Sequence, residues 1–463
     1  MNELAATALH ERLWPQMLPH FPSPVADEVQ DDCWVESVSD LLRRAQRLKN
    51  DSPRLRGISP LDAEEAAASW QAAEWELSGA DWGQVGDELL ECLHGLPVEV
   101  HPRNQVNVNS QPTVASIAGA ILPALFNPNL SSDGRGVGCS LAELRVIGML
   151  ANLLRMDAQR AGGVFTFGGT GTMLYGVKMG LERACPGTMR SGLASRPVVI
   201  ASRNCHHTVL TAAGWTGIGQ DHVWLADVHD DNSLDLPSCE RLMRQAIDLG
   251  RPIAAIIATV GTTDSFGLDN VQGLVELRDR LVRECQMEYS PHIHADAVIG
   301  WAWNCWSDED LSGNSLQFAA PVVAALREIV SRTRYLGLAD SLGIDFHKTA
   351  YVPYVSSLLL VRDRQDLSRL ARDRGLMPYL FHSGKHHPGM FTLETTRSAS
   401  GVLAALASLR VLGRQGLQLL LGRSVQWSLR LREKLAEVPG VAILNSHNPG
   451  PVTLYRVSVF DPD

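Results

Sequence analysis

The chain has no CxxC pair: its eight cysteines stand apart at positions 33, 92, 139, 185, 205, 239, 285 and 305. Neither a disulfide framework nor a structural zinc site fits that scatter. No stretch reaches the roughly 18 apolar residues of a membrane span. The start, "MNELAATALHERLWPQMLPHF", carries early acidic residues and no apolar block of signal-peptide length. Runs of like charge are missing as well. The net charge of −10 is spread along the chain, without the basic face that nucleic-acid binding wants. No HExxH-type pairing occurs either, so a catalytic mononuclear metal site is not indicated. What remains is a soluble, cytoplasmic protein of ordinary globular make-up, 45% hydrophobic and 20% charged.

At 463 residues the chain exceeds one core, so two or three domains are expected. The first part is helix-leaning and rich in tryptophan ("AAASWQAAEWELSGADWGQ"), and it breaks at the Pro- and Asn-marked stretch "HGLPVEVHPRNQVNVNSQPT". Residues 140–156 have apolar positions at helical spacing, with Ser140 as N-cap and Glu143 three residues on. Thereafter apolar runs alternate with helical patterns. Strands are expected at 196–202, 221–227, 252–260 and 291–298, and helices at 206–217, 236–250 and 271–286. That alternation indicates βαβ units and a parallel sheet. From about 395 the pattern turns helical, then gives strands at 441–445 and 453–460. The division is an N-terminal helical segment 1–114, a large α/β domain 115–376 and a small α+β domain 377–463.

In an open α/β sheet, ligands sit beyond the carboxyl ends of the strands, and four polar motifs fall there. "GGVFTFGGTGTMLYG" sets Gly168, Gly169, Thr170, Gly171 and Thr172 before a helix, a ready seat for a phosphate. A tight packing turn explains the same glycines equally well. It is not a Walker A, since no GK[ST] closes it. "IHADAVIG" ends an apolar strand on Asp296, where an unpaired carboxylate is costly and a cation is wanted. His292 and His294 share a strand face, but with no third ligand nearby they read as packing residues. "SRNCHHTVL" puts His206 and His207 at a strand-to-helix switch. "GTTDSFGLDN" brings Thr263 and Asp269 just after the most apolar strand. Finally "ADSLGIDFHKTAYVPYVSSLLLVRD" holds Lys348 beside a very apolar run, where desolvation favours an amine able to attack a carbonyl. A phosphate turn, a histidine, a strand-end aspartate and a lysine are together what pyridoxal phosphate requires.

In their order these motifs resemble the group II pyridoxal-phosphate-dependent amino-acid decarboxylases, over about residues 100 to 435. The resemblance implies the aspartate-aminotransferase fold (fold type I), a mostly parallel, seven-stranded-type sheet sandwiched by helices. It implies Gly169 and Thr170 as phosphate contacts, His206 stacked on the cofactor ring and Thr263 beside it with Asp269 in support. "HADA" places Asp296 on the pyridine nitrogen. "DFHK" gives Lys348 as the Schiff-base lysine, with His347 its neighbour and Asp345 near the phosphate. "TLETTRSASG" matches an arginine segment and implies Arg397 as a substrate contact. Departures are Gly171, Thr172 and Met173 after the GGT, three tryptophans (Trp301, Trp303, Trp306) after Asp296, and an early end after Lys348. Many members carry a proton-donating tyrosine on a mobile loop. The corresponding stretch 377–391 is short, Tyr379 matches a structural position before it, and His386 and His387 are left as donors.

The activity so implied is α-decarboxylation of an L-amino acid to an amine and CO2, with no metal. The family's shared site implies a homodimer, with the N-terminal segment taking part in the interface. Two other readings stand beside this one: an oxygen-consuming, aldehyde-forming enzyme or other lyase on the same cofactor, and a non-catalytic binding or regulatory relative. The tryptophans after Asp296 either line an aromatic pocket or, as large apolar residues near a strand end more often do, fill the core.

Overall fold

A computed structural model describes residues 31–51, 63–75, 77–93, 107–376 and 385–458, with isolated positions at 14, 15, 17, 20, 21, 96, 98, 100, 101 and 378. The chain divides into two compact units, Met1–Val106 and Asn107–Asp463. The first holds helices α1 (Asp31–Asp51), α2 (Ala63–Ala72) and α3 (Trp82–Leu93). Arg44 of α1 pairs there with Asp87 of α3. Composition places the boundary near residue 114, but the preceding stretch is tied into the second unit. Asn107 donates to the Thr263 carbonyl (2.7 Å), Ser110 to that of His347 (3.2 Å), and the Thr113 N–H to that of Tyr351 (2.8 Å).

In the second unit the chain runs α4 (Val114–Ile121), α5 (Gly138–Leu153), β1 (Gly162–Thr166), α6 (Gly169–Ala184), β2 (Val198–Ser202), α7 (Thr208–Trp215) and β3 (Val223–Ala226). It continues with α8 (Leu236–Asp248), β4 (Ile253–Thr259), α9 (Val271–Glu284), β5 (His292–Asp296), α10 (Ala320–Thr333), β6 (Ser341–Asp345) and β7 (Ser357–Val361). It closes with α11 (Ser400–Ala436), β8 (Val441–Ile443) and β9 (Tyr455–Val457). Seven strands form one sheet in the order β1-β7-β6-β5-β4-β2-β3. All its pairings are parallel except those of β7, which runs antiparallel to both β1 and β6.

Both faces of this sheet are buried, which is why its strands read as unbroken apolar runs and not as alternation. Val198 and Ile200 pack to one side with Ile256, Ile293 and Leu342, whereas Val199 and Ala201 face the other with Met173, Val177 and Ile257. Helix α6 lies close against that second face because it is glycine-lined. A Cβ on Gly176 would stand 2.4 Å from His294 Nδ1, and one on Gly180 would stand 2.1 Å from the Ala254 carbonyl oxygen.

One local expectation fails for a physical reason. Helix α5 starts at Gly138, so Ser140 is inside it and no capping box forms. The Glu143 carboxylate is taken instead by the Phe165 N–H of β1 (2.8 Å) and by Arg397. The helical stretch from 400 is interrupted at Gly413, whose φ of +59° is outside helical geometry. After it, β8 and β9 pair as a small antiparallel hairpin. Tyr379 lies outside the described residues.

Candidate active site

Strand register gathers the site. Thr259 at the end of β4 pairs with Asp296 at the end of β5, Asp296 with Gly343 of β6, and Asp345 at the end of β6 with Ser357 of β7. Thr166 at the end of β1 also pairs with Ser357, which brings the following glycine turn to the same edge. Each apolar strand therefore delivers its terminal polar residue to one rim.

Lys348 belongs to a single helical turn, Phe346–Thr349, that follows β6 directly. Its Nζ lies 3.1 Å from Asp345 Oδ2, and His347 Nε2 lies 3.4 Å from the same oxygen. Ser357 donates to the other oxygen, Asp345 Oδ1, at 2.5 Å. His347 is anchored through Nδ1, 3.0 Å from the Ser356 carbonyl. Burial holds the His347 imidazole below its ordinary pKa, with Asp345 opposing. The carboxylate between lysine and histidine is thus fixed from three sides.

Asp296 is 6% exposed and receives the backbone N–H of Val298. Among the described residues no side chain forms a hydrogen bond or ion pair with it. Burial pushes its carboxyl up to about 6, with Lys348 pulling down and Asp345 pushing up. A carboxylate so placed gains most from a cationic N–H brought by a ligand. His206 is half-buried. Its Nδ1 lies 3.1 Å from Thr208 Oγ1 and accepts the Thr208 N–H at 3.2 Å. Burial, then His207 and Lys348, lower its pKa, so at neutral pH it presents an uncharged flat ring. Asp269 is fully buried and accepts the N–H groups of Leu234 and Thr259, both at 2.7 Å. It braces the end of β4 from behind, and burial pushes its carboxyl up to about 7.

The glycine turn meets this cluster from the far side. Gly168 has φ +119°, a conformation that favours glycine, and α6 begins immediately after it. The N–H groups of Gly169 and Thr170, in the first turn, have no intrahelical partner. A Cβ on Gly169 would stand 2.9 Å from Asp345 Oδ2, so only glycine lets the backbone come so close to the lysine's carboxylate. Thr170 is exposed on the same turn.

His206, Thr263, Asp296 and Lys348 line one cavity of about 440 Å³. Other lining residues escaped sequence reasoning, among them Asn204, Cys205, Asn232, Thr262 and Leu454. Ser357 also went unnoticed, although the "VSSLLLV" pattern, two serines opening an apolar run, marks a polar strand end. Arg397, His386 and His387 are not among the cavity-lining residues. The Arg397 guanidinium, 3% exposed, is consumed by Glu143 and by the carbonyls of Leu130 (2.9 Å) and Phe165 (3.1 Å). The His386 carbonyl accepts the Asp133 N–H at 2.9 Å, and its ring feels Glu143, Arg397 and Asp133. His387 is in the same neighbourhood, acting on Asp133 and on His386. Trp301, Trp303 and Trp306 are core residues, at most 4% exposed. His292 and His294 are buried and both contact Ser341 Oγ at 2.8 Å.

An anion seat, an amine, an unmatched buried carboxylate and a flat neutral ring make a site for a phosphorylated pyridine aldehyde. Residues 100–455 match the model of the pyridoxal-dependent decarboxylase conserved domain. The chain belongs to the pyridoxal-dependent decarboxylase family, and its cofactor is pyridoxal phosphate. It is 27% identical over 348 residues to an L-2,4-diaminobutyrate decarboxylase of Rhizobium meliloti (strain 1021), covering 74% of this chain and 62% of that one. It is 26% identical over 251 residues to an L-tyrosine decarboxylase of Enterococcus faecium, covering 50% of this chain and 40% of that one. It therefore spans less than two thirds of the length of these relatives. The crystal structure of the glutamate decarboxylase domain of a diaminobutyrate-pyruvate transaminase and L-2,4-diaminobutyrate decarboxylase from Vibrio parahaemolyticus superimposes with a TM-score of 0.74 at 19% identity. That match covers 97% of this chain and 87% of the other, and it shows the fold, that of fold type I.

Proposed function

We propose that this chain forms the catalytic centre of an α-decarboxylase that converts an L-amino acid to its amine and CO2. The observation that carries the reading is Asp296, a buried carboxylate without a side-chain partner among the described residues, facing the same cavity as Lys348. When bound, pyridoxal phosphate supplies a carbonyl for the substrate amine and a sink for the electron pair left at Cα as CO2 departs. The first-turn N–H groups of Gly169 and Thr170 would hold its phosphate, with Asp345 beside that turn. Asp296 would pair as a carboxylate with the cofactor's ring N–H and favour its protonated form. Lys348 Nζ would be the amine that holds the cofactor's aldehyde, and Asp345, 3.1 Å away, would balance its charge. The His206 ring, which lines the same cavity, would cover the cofactor face and help keep water from the reacting bond.

His386 and His387 stand with the Arg397–Glu143 pair and not at this cavity. Return of a proton to Cα therefore falls to Lys348 Nζ or His206, which line it. In the same way Arg397 reads as a brace and not as a substrate contact. Lys348→Ala should abolish both CO2 release and the visible absorbance of the lysine-bound cofactor; a variant that keeps both refutes the assignment. An amino-acid panel opening with L-2,4-diaminobutyrate and L-tyrosine identifies the substrate. Amine, CO2, aldehyde and peroxide measured together separate simple decarboxylation, which yields no peroxide, from the oxidative reading.

The working unit is a homodimer in the cytoplasm. No helix among the described residues is long and apolar enough to cross a membrane. Phe126 and Val137 are 85% and 70% exposed, and Val114, Ile121, Leu125 and Leu141 add further exposed apolar surface on and between α4 and α5. Large exposed apolar surface of this kind is what subunit contacts cover. Sedimentation should give twice the chain mass, and Phe126→Asp should shift it toward one; an unchanged monomer in the wild type removes this part of the proposal.

A further inference from the structure

We infer that the C-terminal hairpin is part of the cofactor site, and that Asn445 and Asn448 are positioning residues for the cavity wall. The inference rests on reading that cavity as the cofactor site. Leu454, just before β9, lines the cavity together with Asn232 and residues 262–265. Two asparagines from the β8–β9 connection lock it there. Asn445 is 0% exposed: its Nδ2 donates to the carbonyls of Ser265 (3.1 Å) and Val452 (2.9 Å), and its Oδ1 accepts the Leu454 N–H (2.8 Å). Asn448 is 2% exposed and donates to the carbonyls of Asp231 (2.5 Å) and Phe266 (3.4 Å). Its Oδ1 accepts from Asn232 Nδ2 at 3.1 Å, and Asn232 Oδ1 accepts from Asn204 Nδ2 at 3.0 Å. A row of three side-chain amides thus runs from the hairpin to two lining residues of the cavity.

Buried amides are costly unless bonded at both ends, so this geometry tolerates little slack. The wall it holds also needs holding. Phe266 sits at φ +61°, unfavourable for a bulky residue. Its ring lies so tightly under Gly450 that a Cβ there would come within 1.8 Å of Phe266 Cδ1. Within the same turn Thr262 Oγ1 accepts the Gly267 N–H and contacts Ser265 Oγ, each at 2.7 Å. The hairpin's amides therefore fix the backbone at 265–266, and through it the positions of Thr262 and Thr263.

The test combines hydrogen exchange with cofactor titration. In the wild type, loading pyridoxal phosphate should slow amide exchange in 262–268 and also in 441–458, since coupling between wall and hairpin is reciprocal. Asn448→Asp and Asn445→Asp keep the side-chain volume but lose the donors. Each should raise the cofactor dissociation constant roughly tenfold, as the loss of one or two buried hydrogen bonds implies, with exchange faster in 262–268 and unchanged in β4 and β5. Asn232→Ala removes only the middle amide and serves if the other two fail to fold; the same local signature is expected of it. The inference is overturned if the wild-type hairpin is indifferent to the cofactor. It is overturned equally if the variants bind the cofactor like the wild type, or loosen the whole sheet uniformly. Failure of the wild type to develop any lysine-bound absorbance would instead overturn the cofactor reading itself.

Discussion

Replacing Arg397 separates two roles that the same residue can play. If it contacts substrate, Arg397→Ala raises KM and leaves the fold alone. The structure predicts the reverse. Its guanidinium donates to both oxygens of Glu143 and to the carbonyls of Leu130 and Phe165, and neither side chain of the pair is more than 3% exposed. Alanine at 397 leaves the Glu143 carboxylate buried with one remaining donor, the Phe165 N–H. Breaking a buried pair from one side costs about 3–5 kcal/mol. An unfolding entropy of about 2.1 cal/mol/K per residue turns that into a fall in Tm on the order of 5 °C for a unit of this size. Replacing the whole pair by Glu143→Leu with Arg397→Met should recover much of the loss, because no charge is then stranded. Thermal melting of the cofactor-loaded protein, with KM measured well below the transition, decides the matter. An Arg397→Ala protein that melts like the wild type while its KM rises many-fold would refute the reasoning.

Asp296 carries a pH signature: burial lifts it from 3.8 to about 6, so between those values the native state holds a proton that the unfolded chain has lost. Cofactor-free protein should therefore lose about 3 kcal/mol of stability as pH rises through that window, and Asp296→Asn should remove this component; an identical slope in the variant argues against it. Gly169→Ala pushes a methyl to within 2.9 Å of Asp345 Oδ2 and should weaken cofactor binding at least about tenfold, beyond the roughly 1–3 kcal/mol of overpacking that it costs the cofactor-free protein. Wild-type affinity in that variant would remove the turn from the site. Gly176→Ala, 2.4 Å from the buried His294 ring, should cost about 1–3 kcal/mol by overpacking, read as a lower denaturation midpoint with the cofactor spectrum intact.

The residues that were legible in the chain share one property: each is a polar group at the end of an apolar run. Asp296 after "HIHA" and Asp345 after "SLGI" end strands buried on both faces, where a polar side chain is costly without a purpose. The sequence alone can show that cost, because strand, burial and terminal residue are all local. Lys348 follows within the next helical turn, so it is legible for the same reason. Arg397, His386 and Glu143 are different. Nothing near them in the chain says which side of the sheet their loops meet, and Glu143 reads as a helix cap until Arg397, far along the chain, claims it. Asn445 and Asn448 look like ordinary turn asparagines, and only the hairpin's return to residues 231–232 and 265–266 makes them part of the wall. Motifs thus disclose the chemistry of a site where a strand ends, whereas the groups that hold that chemistry still come from distant segments. It follows that substitutions at the legible positions should disturb cofactor spectra first, and substitutions at the others should disturb stability or local exchange first.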